Sequence, residues 1–377
     1  MNVIFTCGGT AGHINPAIAV ANIVKERHPN ANILFIGASG HMEEKLVPKA
    51  GYQLACLPGS GLSRKISFSA LKKNAKALKN VLSAVSQCKK IIRDFKADVV
   101  VGTGGYASYP ALNAASKLGI PTIVHEANAV PGLTTKMAAK TATRVLVAFE
   151  ESAQYYRKPE KVEVVGMPVR KEFVETSRQE ARAALGLDSR PLVVSAFGSL
   201  GARAMNYAMA DFIKLEQDAG MPFQHIHATG AYGWEWMPEH IKSLGVNAEN
   251  CNGLDIREYI YNMPTVMAAA DIIIGRAGAS TCNEIGASGT PCILIPSPNV
   301  TNDHQTKNAK IMADRGGAVL IPEPEATGQA LYNTVTELLA DHDRRKKMSA
   351  VLRNMVVTDS AQRICDMIEE LSSKGGK

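Results

Sequence analysis

The sequence predicts two open α/β domains in succession, each built on a parallel, doubly wound sheet. Three observations predict it. Short β-rich runs alternate with helical stretches through both halves of the chain. Runs such as Asp98-Val99-Val100-Val101 and Thr122-Ile123-Val124 are almost continuously apolar, as strands covered on both faces require. The length, 377 residues, suits two domains at roughly 100–200 residues each.

The elements follow in order. Val3-Ile4-Phe5 predicts a first strand over 2–6, and a helix over 16–27 follows it. Pro16 suits a helix start, where its missing N–H goes unnoticed. Further strands are predicted over 33–36, 53–57, 98–102, 121–124, 143–147 and 162–165, with a helix over 70–94. Gly166-Met167-Pro168 reads as a linker, and 171–186 as a charged helical stretch. Pro191 opens a second series of strands at 191–197, 223–228, 271–275, 291–295 and 317–321. Asp359 can cap a last amphipathic helix carrying Ile364, Met367, Ile368 and Leu371, ahead of a frayed tail from Ser372. In such folds ligands bind at the carboxyl ends of the strands, and two facing edges would enclose a cleft.

Composition removes several classes. Hydrophobic residues make up 46% and charged residues 20%, close to globular averages, so disordered and collagen-like chains are excluded. No apolar run approaches the ~20 residues of a membrane-spanning helix. The first residues lack the basic region and apolar core of a secretory leader, so a cytoplasmic protein is expected. The 7 cysteines are scattered without a C-x-x-C pair and read as reduced, mostly buried thiols. The net charge of +7 is concentrated. Arg64, Lys65, Lys72, Lys73, Lys76, Lys79, Lys89, Lys90, Arg93 and Lys96 face a single acid, Asp94, with Leu71, Leu78, Val81, Leu82 and Val85 at helical spacing. Such a helix can meet an anionic membrane surface, contact polyphosphate, or lie solvated on a basic domain. No nucleic-acid motif or aromatic interleaving accompanies the charge, so a nucleic-acid partner is not expected.

Three glycine-rich loops link a strand to a helix: Gly8-Gly9-Thr10-Ala11-Gly12-His13, Gly102-Thr103-Gly104-Gly105-Tyr106 and Gly198-Ser199-Leu200-Gly201-Ala202. Small residues admit a ligand to the backbone N–H groups, and the helix start adds partial positive charge, so phosphate or pyrophosphate is the natural partner. None matches the dinucleotide or P-loop fingerprint. His13 can act as a general base near neutral pH or hold a phosphate. Glu126 and Asn128, in His125-Glu126-Ala127-Asn128, can bond hydroxyls or amides, or close an Asx turn. In the second half, Arg276–Glu284 brings small polar residues to a helix start, and the Glu284 carboxylate suits the two hydroxyls of a ribose. Asp303-His304-Gln305 can contact a sugar. His225 and His227 alternate on a strand without further ligands, and Asp341-His342-Asp343 sits in a charged helical stretch, so no metal is expected.

These loops, in this order and spacing, together with Pro131-Gly132-Leu133-Thr134, Pro168-Val169-Arg170 and Asp303-His304-Gln305, resemble the MurG family of peptidoglycan N-acetylglucosaminyltransferases over roughly 1–370. The resemblance implies a GT-B fold: two Rossmann-like domains around a cleft, no metal and no cofactor. It implies transfer from UDP-GlcNAc to lipid I, a muramyl-pentapeptide pyrophosphoryl-undecaprenol, in cell-wall synthesis and so in cell shape and division. The domains would be 1–169 for the lipid acceptor and the membrane, 170–353 for the donor, and a C-terminal helix and tail, 354–377, crossing back to the first domain. Arg170 and Ser199 would serve the diphosphate and Ile260 the uracil. Ala279, Ser280 and Thr281 would reach phosphate, and Glu284 the ribose. Gln305 and Asn128 would contact the sugar, with Thr10, Ala11 and Gly12 approaching the donor from across the cleft. Gly104, Gly105 and Tyr106 would receive the acceptor pyrophosphate. The enzyme would be peripheral, on the cytoplasmic face of the membrane.

The implied mechanism is a single inverting displacement, with His13 as the first candidate base and Glu126 the second. The departing UDP would be stabilised by helix N-termini and Arg170 in place of a metal. The chain departs from the family pattern at Ala11 for Gly, at Phe197 and Leu200 for Gly and Gln, and at Met167 for Asn, all of which bear on donor contacts. The alternatives are another lipid glycosyltransferase of this fold, a UDP-GlcNAc 2-epimerase, or a silent nucleotide-sugar-binding protein.

Overall fold

The computed structural model describes residues 1–58, 68–247, 251–300 and 303–374, the side chains of 68–80 and 374 excepted. The chain divides into two compact units, Met1–Val169 with Asp359–Lys377, and Arg170–Thr358.

The first unit holds strands β1 (Asn2–Thr6), β2 (Asn32–Ala38), β3 (Gln53–Leu57), β4 (Val99–Gly102), β5 (Thr122–Glu126), β6 (Arg144–Val147) and β7 (Val162–Val164). They form one parallel sheet in the order β3-β2-β1-β4-β5-β6-β7. Its helices are α1 (Ala11–Arg27), α2 (Glu43–Lys49), α3 (Phe68–Phe95), α4 (Ser108–Lys117) and α5 (Leu133–Ala139). Val3 and Phe5 point to one face of the sheet and Ile4 to the other, each fully buried in a separate apolar cluster. This accounts for the unbroken apolar runs in the sequence. Each such side chain contributes about 1.5–3 kcal/mol.

The first helix begins earlier than its sequence suggests. It starts at Ala11 with Thr10 as an extended N-cap, and Pro16 lies inside it. A proline there costs one N–H and crowds the carbonyl four residues back. Buried Ile14, Ala17, Val20, Ala21 and Val24 hold the helix onto the sheet regardless.

The second unit holds β8 (Leu192–Ala196), β9 (Gln224–Ala228), β10 (Leu254–Arg257), β11 (Ile272–Gly275), β12 (Cys292–Leu294) and β13 (Ala318–Leu320), parallel and in the order β10-β9-β8-β11-β12-β13. Around them lie α6 (Glu172–Glu175), α7 (Arg178–Ala184), α8 (Arg203–Asp218), α9 (Ala231–Trp234), α10 (Met237–Ser243), α11 (Met263–Ala269), α12 (Ala279–Ser288), α13 (His304–Asp314), α14 (Gly328–Ala340) and α15 (His342–Met355). β10 has no counterpart among the predicted strands. It is an edge strand of sequence Leu-Asp-Ile-Arg, only half-buried, and too polar to stand out. The stretch 171–186 is two helices, because Ser177 starts a new one by accepting a hydrogen bond from the N–H of Glu180.

The last helix, α16 (Ser360–Lys374), belongs to the first unit. Its Ile364, Cys365, Ile368 and Leu371 join the cluster containing Ala17, Val20 and Val24 of α1. Arg27 pairs with Asp366 and Glu369 at the rim, where exposed pairs contribute ~1 kcal/mol or less. The second unit runs on to Thr358, and Val356 packs against Gly286 of α12. All seven cysteines are free thiols, buried except for Cys56. Asp341 accepts from the N–H of Arg344 and caps α15, a structural use for the first acid of the D-x-D triplet.

Of the basic stretch, Arg64 and Lys65 lie outside the described residues, as do the side chains of Leu71, Lys72, Lys73, Lys76, Leu78 and Lys79. In the rest of α3, Ala84, Val85, Cys88 and Ile92 are buried against the sheet, while Leu82 is 61% exposed and Lys90 and Arg93 face solvent. Among the described residues no helix is long and apolar enough to cross a membrane.

Candidate active site

In an open parallel sheet the connections leave in opposite directions on either side of one strand pair, and ligands bind outside the carboxyl ends of that pair. The pair is β1/β4 in the first unit and β8/β11 in the second. Each is flanked by sequence-predicted glycine loops: 8–13 and 102–106 in the first unit, 198–202 and 275–284 in the second.

In the first unit the two loops touch. A Cβ on Gly105 (φ +87°) would stand 2.2 Å from the Gly8 carbonyl oxygen, and one on Gly104 (φ +111°) 2.6 Å from His13 Nδ1. Only glycine satisfies both the backbone conformation and the space. Thr10 caps α1 without a side-chain bond to it, so the first N–H groups of the helix keep their capacity for an anion. His13 Nδ1 lies 3.0 Å from the Thr103 carbonyl oxygen, and the Thr103 hydroxyl donates to the His13 carbonyl at 2.6 Å. A carbonyl can only accept, so this network assigns the proton to Nδ1 and the lone pair to Nε2, the tautomer of a base. Tyr106 is half-buried at the end of the second loop.

Glu126 is bonded into its own loop. It is 3% exposed. Its Oε1 accepts from both the N–H and the side-chain amide of Asn128 at 3.0 Å, and Oε2 accepts from Gly132 N at 3.0 Å. Both oxygens hold the 126–132 loop in shape, the local turn that its sequence also allows. Beside it, His125 is fully buried and its Nε2 donates to the Gly166 carbonyl at 2.8 Å. Burial lowers its pKa, which keeps the ring neutral.

In the second unit the centre of the site is the start of α12. Gly278 is its N-cap and offers no side chain. Ser280 Oγ is buried without a hydrogen-bond partner among the described residues. A buried unpaired hydroxyl costs about 1–3 kcal/mol, so its retention points to a ligand. Glu284, four residues on, lies on the same face of the helix. Burial pushes its carboxyl up to about 7, against the opposing charge of Arg170. Ala279 and Thr281 are half-buried beside it, and Arg170 itself is exposed, its guanidinium over the Phe173 ring at 5.1 Å. Ser199 is exposed on its loop, and its carbonyl accepts from Ala231 N at 3.1 Å. Gln305, half-buried, accepts from Ser297 N at 2.9 Å through Oε1. Ile260 is buried, 2% exposed, between the exposed rings of Tyr259 and Tyr261.

Two departures gain a physical account. Phe197 is 3% exposed, its ring 5.9 Å from the Arg276 guanidinium. That guanidinium also donates to the Ile295 carbonyl and pairs with Glu323. The phenylalanine therefore helps fix the strand ends beneath the site. Leu200 is 53% exposed and touches solvent where a polar residue would be at no disadvantage. Met167 is buried at 1% exposure in the linker.

The alternating histidines belong to a buried relay. Ser195 Oγ lies 2.7 Å from both His225 Nε2 and His227 Nδ1, and His225 Nδ1 is 2.9 Å from Glu216 Oε2. Among the described residues no three His, Cys, Asp or Glu side chains gather as metal ligands.

Sequence reasoning missed Glu43, which is wholly buried and bonded to the first glycine loop, and Thr229-Gly230, which packs on the third. Gly230 after a strand was a visible signal. Glu43 gave none, because its partner in the glycine loop, Gly9, lies 34 residues away in the chain.

Comparison with known proteins agrees with this geometry. The family model for the glycosyltransferase family 28 N-terminal domain matches residues 3–147, and that for the C-terminal domain matches 192–364. A relative from Acetivibrio thermocellus, named UDP-N-acetylglucosamine--N-acetylmuramyl-(pentapeptide) pyrophosphoryl-undecaprenol N-acetylglucosamine transferase, is 39% identical over 98% of both chains. A Thermoanaerobacter protein of the same name is 39% identical over 99% of this chain and 100% of its own. The crystal structure of Acinetobacter baumannii MurG superposes with a TM-score of 0.75 at 27% identity, covering 98% of this chain and 99% of that one. The chain belongs to glycosyltransferase family 28, in its MurG group of N-acetylglucosamine transferases.

Proposed function

We propose that this glycosyltransferase moves N-acetylglucosamine from UDP-GlcNAc to lipid I, the muramyl-pentapeptide pyrophosphoryl-undecaprenol, giving lipid II and UDP. The relatives' names describe this reaction. The observation that carries the donor half is the start of α12, where an unpartnered buried hydroxyl at Ser280 and a carboxyl at Glu284 share one helix face. That face suits a nucleoside diphosphate: phosphate at the helix start, ribose hydroxyls one turn on. Arg170 and Ser199 add diphosphate contacts, Ile260 the uracil contact, and Ala279, Thr281 and Gln305 the remaining phosphate and sugar contacts. Thr10, Ala11, Gly12 and Asn128 are proposed as further donor contacts, and Gly104, Gly105 and Tyr106 as the acceptor pyrophosphate site.

The step is one inverting displacement. The acceptor hydroxyl oxygen bonds to the anomeric carbon as the bond from that carbon to the UDP oxygen breaks, and UDP leaves with the electron pair. The hydroxyl proton passes to His13 Nε2. A base held in the correct tautomer accelerates such a step about 10²–10⁴-fold. Negative charge growing on UDP meets the helix start at Ala279 and the Arg170 guanidinium.

The enzyme acts peripherally at the cytoplasmic face of the membrane in this reading. Support comes from the solvent exposure of Leu82 and, two to three turns further along α3, of Lys90 and Arg93, a combination suited to an anionic lipid surface. No nucleic-acid partner is proposed.

The test is transfer of labelled N-acetylglucosamine to a lipid I analogue in the presence of EDTA, with UDP-glucose, UDP-GalNAc and diacylglycerol as competitors. Product from UDP-GlcNAc and the lipid I analogue alone, undiminished by the chelator, is expected. Transfer only to diacylglycerol would make the enzyme a different lipid glycosyltransferase. Loss of product with EDTA would overturn the metal-free step.

A further inference from the structure

Glu43 is a fully buried carboxylate in the first unit, at the start of α2. Burying a charge is costly unless it is bonded. Among the described residues this one is bonded to backbone: Oε2 accepts from Gly9 N at 3.1 Å and Oε1 from Ala38 N at 2.9 Å. It therefore joins the end of β2 to the first glycine loop. Two glycines make room for it. A Cβ on Gly8 would stand 2.7 Å from Glu43 Oε1, and one on Gly37 would stand 2.6 Å from Glu43 Cγ.

The contacts continue to His13. Gly8, which rests on Glu43, presents its carbonyl to Gly105, and Gly104 lies against the His13 imidazole. Thr103, the next residue back, fixes the ring through its carbonyl and the His13 backbone through its hydroxyl. Gly8, Gly104 and Gly105 stand closer to their neighbours than a methyl group allows, so a shift at Gly8 is passed on, while Gly9 has open space around it and is held by its bond to Glu43.

We infer that Glu43 is a positioning residue for transfer: its carboxylate sets the Gly8-Gly9 turn and, through Gly104-Gly105, the placement of His13. The inference rests on His13 being the base. Glu43 does not touch substrate. Its effect belongs in turnover, because a base displaced by about 1 Å loses on the order of a hundredfold in rate.

The test compares Glu43→Gln and Gly37→Ala with His13→Ala and with the double variant E43Q/H13A. Glutamine keeps the size but sets an NH₂ group against one of the two backbone donors. Alanine at 37 displaces the carboxylate while leaving it in the chain. Both single variants should lower kcat at least tenfold, with the KM for UDP-GlcNAc and its directly measured Kd within twofold of wild type. The double variant should be no slower than His13→Ala alone, because Glu43 acts through the histidine. Wild-type kcat in a folded Glu43→Gln enzyme would overturn the inference, and so would losses that multiply in the double variant. A purely structural role would lower the Tm and leave kcat per folded molecule unchanged in both Glu43→Gln and Gly37→Ala. Should Glu43→Gln fail to fold, Gly37→Ala carries the same comparison. If His13→Ala alone keeps full turnover, the base assignment fails, and that result is separate from the Glu43 outcome.

Discussion

The two units have the same architecture and treat their carboxylates in opposite ways. Both are parallel sheets with a switch of winding beside a glycine loop. In the first unit, Glu43 and Glu126 are buried and turned inward, and all of their oxygens accept from the loops they shape. In the second, Glu284 is held up to about 7 by burial, and Ser280 Oγ beside it has no partner among the described residues. The first rim is prearranged around an imidazole whose tautomer is already set. The second keeps polar capacity in reserve for a ligand. In the proposed reading one scaffold supports two jobs, chemistry at one switch point and donor recognition at the other, by moving the unsatisfied groups.

The comparison breaks most visibly at His13. His13→Ala should lower kcat about 10²–10⁴-fold, read from initial rates at saturating UDP-GlcNAc. Next comes Glu284→Gln, which should weaken UDP-GlcNAc binding about ten- to a hundredfold by calorimetry, the range for two hydrogen bonds to a charged group. The pH dependence sharpens this. Binding to the ribose diol favours the ionised carboxylate, so below about 7 a proton must leave as the donor binds. Affinity should therefore fall on acidification through that value, by at most about tenfold per pH unit, and should be flat in Glu284→Gln. Ser280→Ala should cost about three- to tenfold in donor affinity, while the Tm of the free protein holds or rises, because the lost hydroxyl was unpaired. Leu200→Gln should have the smallest effect. The side chain is 53% exposed, so stability should stay within about 0.5 kcal/mol and donor affinity should rise slightly.

What the sequence showed depended on how local the cause was. Strands buried on both faces announce themselves, as β1, β4 and β5 do, and the edge strands β3 and β7 are anticipated from their short β-rich runs. β10 was not, since an edge strand with Asp255 and Arg257 on it lacks that signature. The start of α1 was misread because Pro16 marks a helix start more often than it sits in the second turn, and tertiary burial of Ile14 and Ala17 overrode the local preference. The glycine loops and Glu284 were readable because each stands next to its own helix start. The bonds of Glu126 to Asn128 and Gly132 were within reach of an Asx-turn reading, but their completeness was not. Glu43 was invisible, because Gly8 and Gly9, which complete its surroundings beside the nearby Gly37 and Ala38, are brought to it only by the packing of β1 against β2.

The division of labour is tested most directly by titrating UDP-GlcNAc into the folded His13→Ala enzyme by calorimetry, with Glu284→Gln alongside. The account predicts a Kd within twofold of wild type for His13→Ala, despite its lost turnover, and a clear loss of affinity for Glu284→Gln. A His13→Ala enzyme that loses donor affinity as heavily as Glu284→Gln would contradict it, and would make the histidine a binding residue.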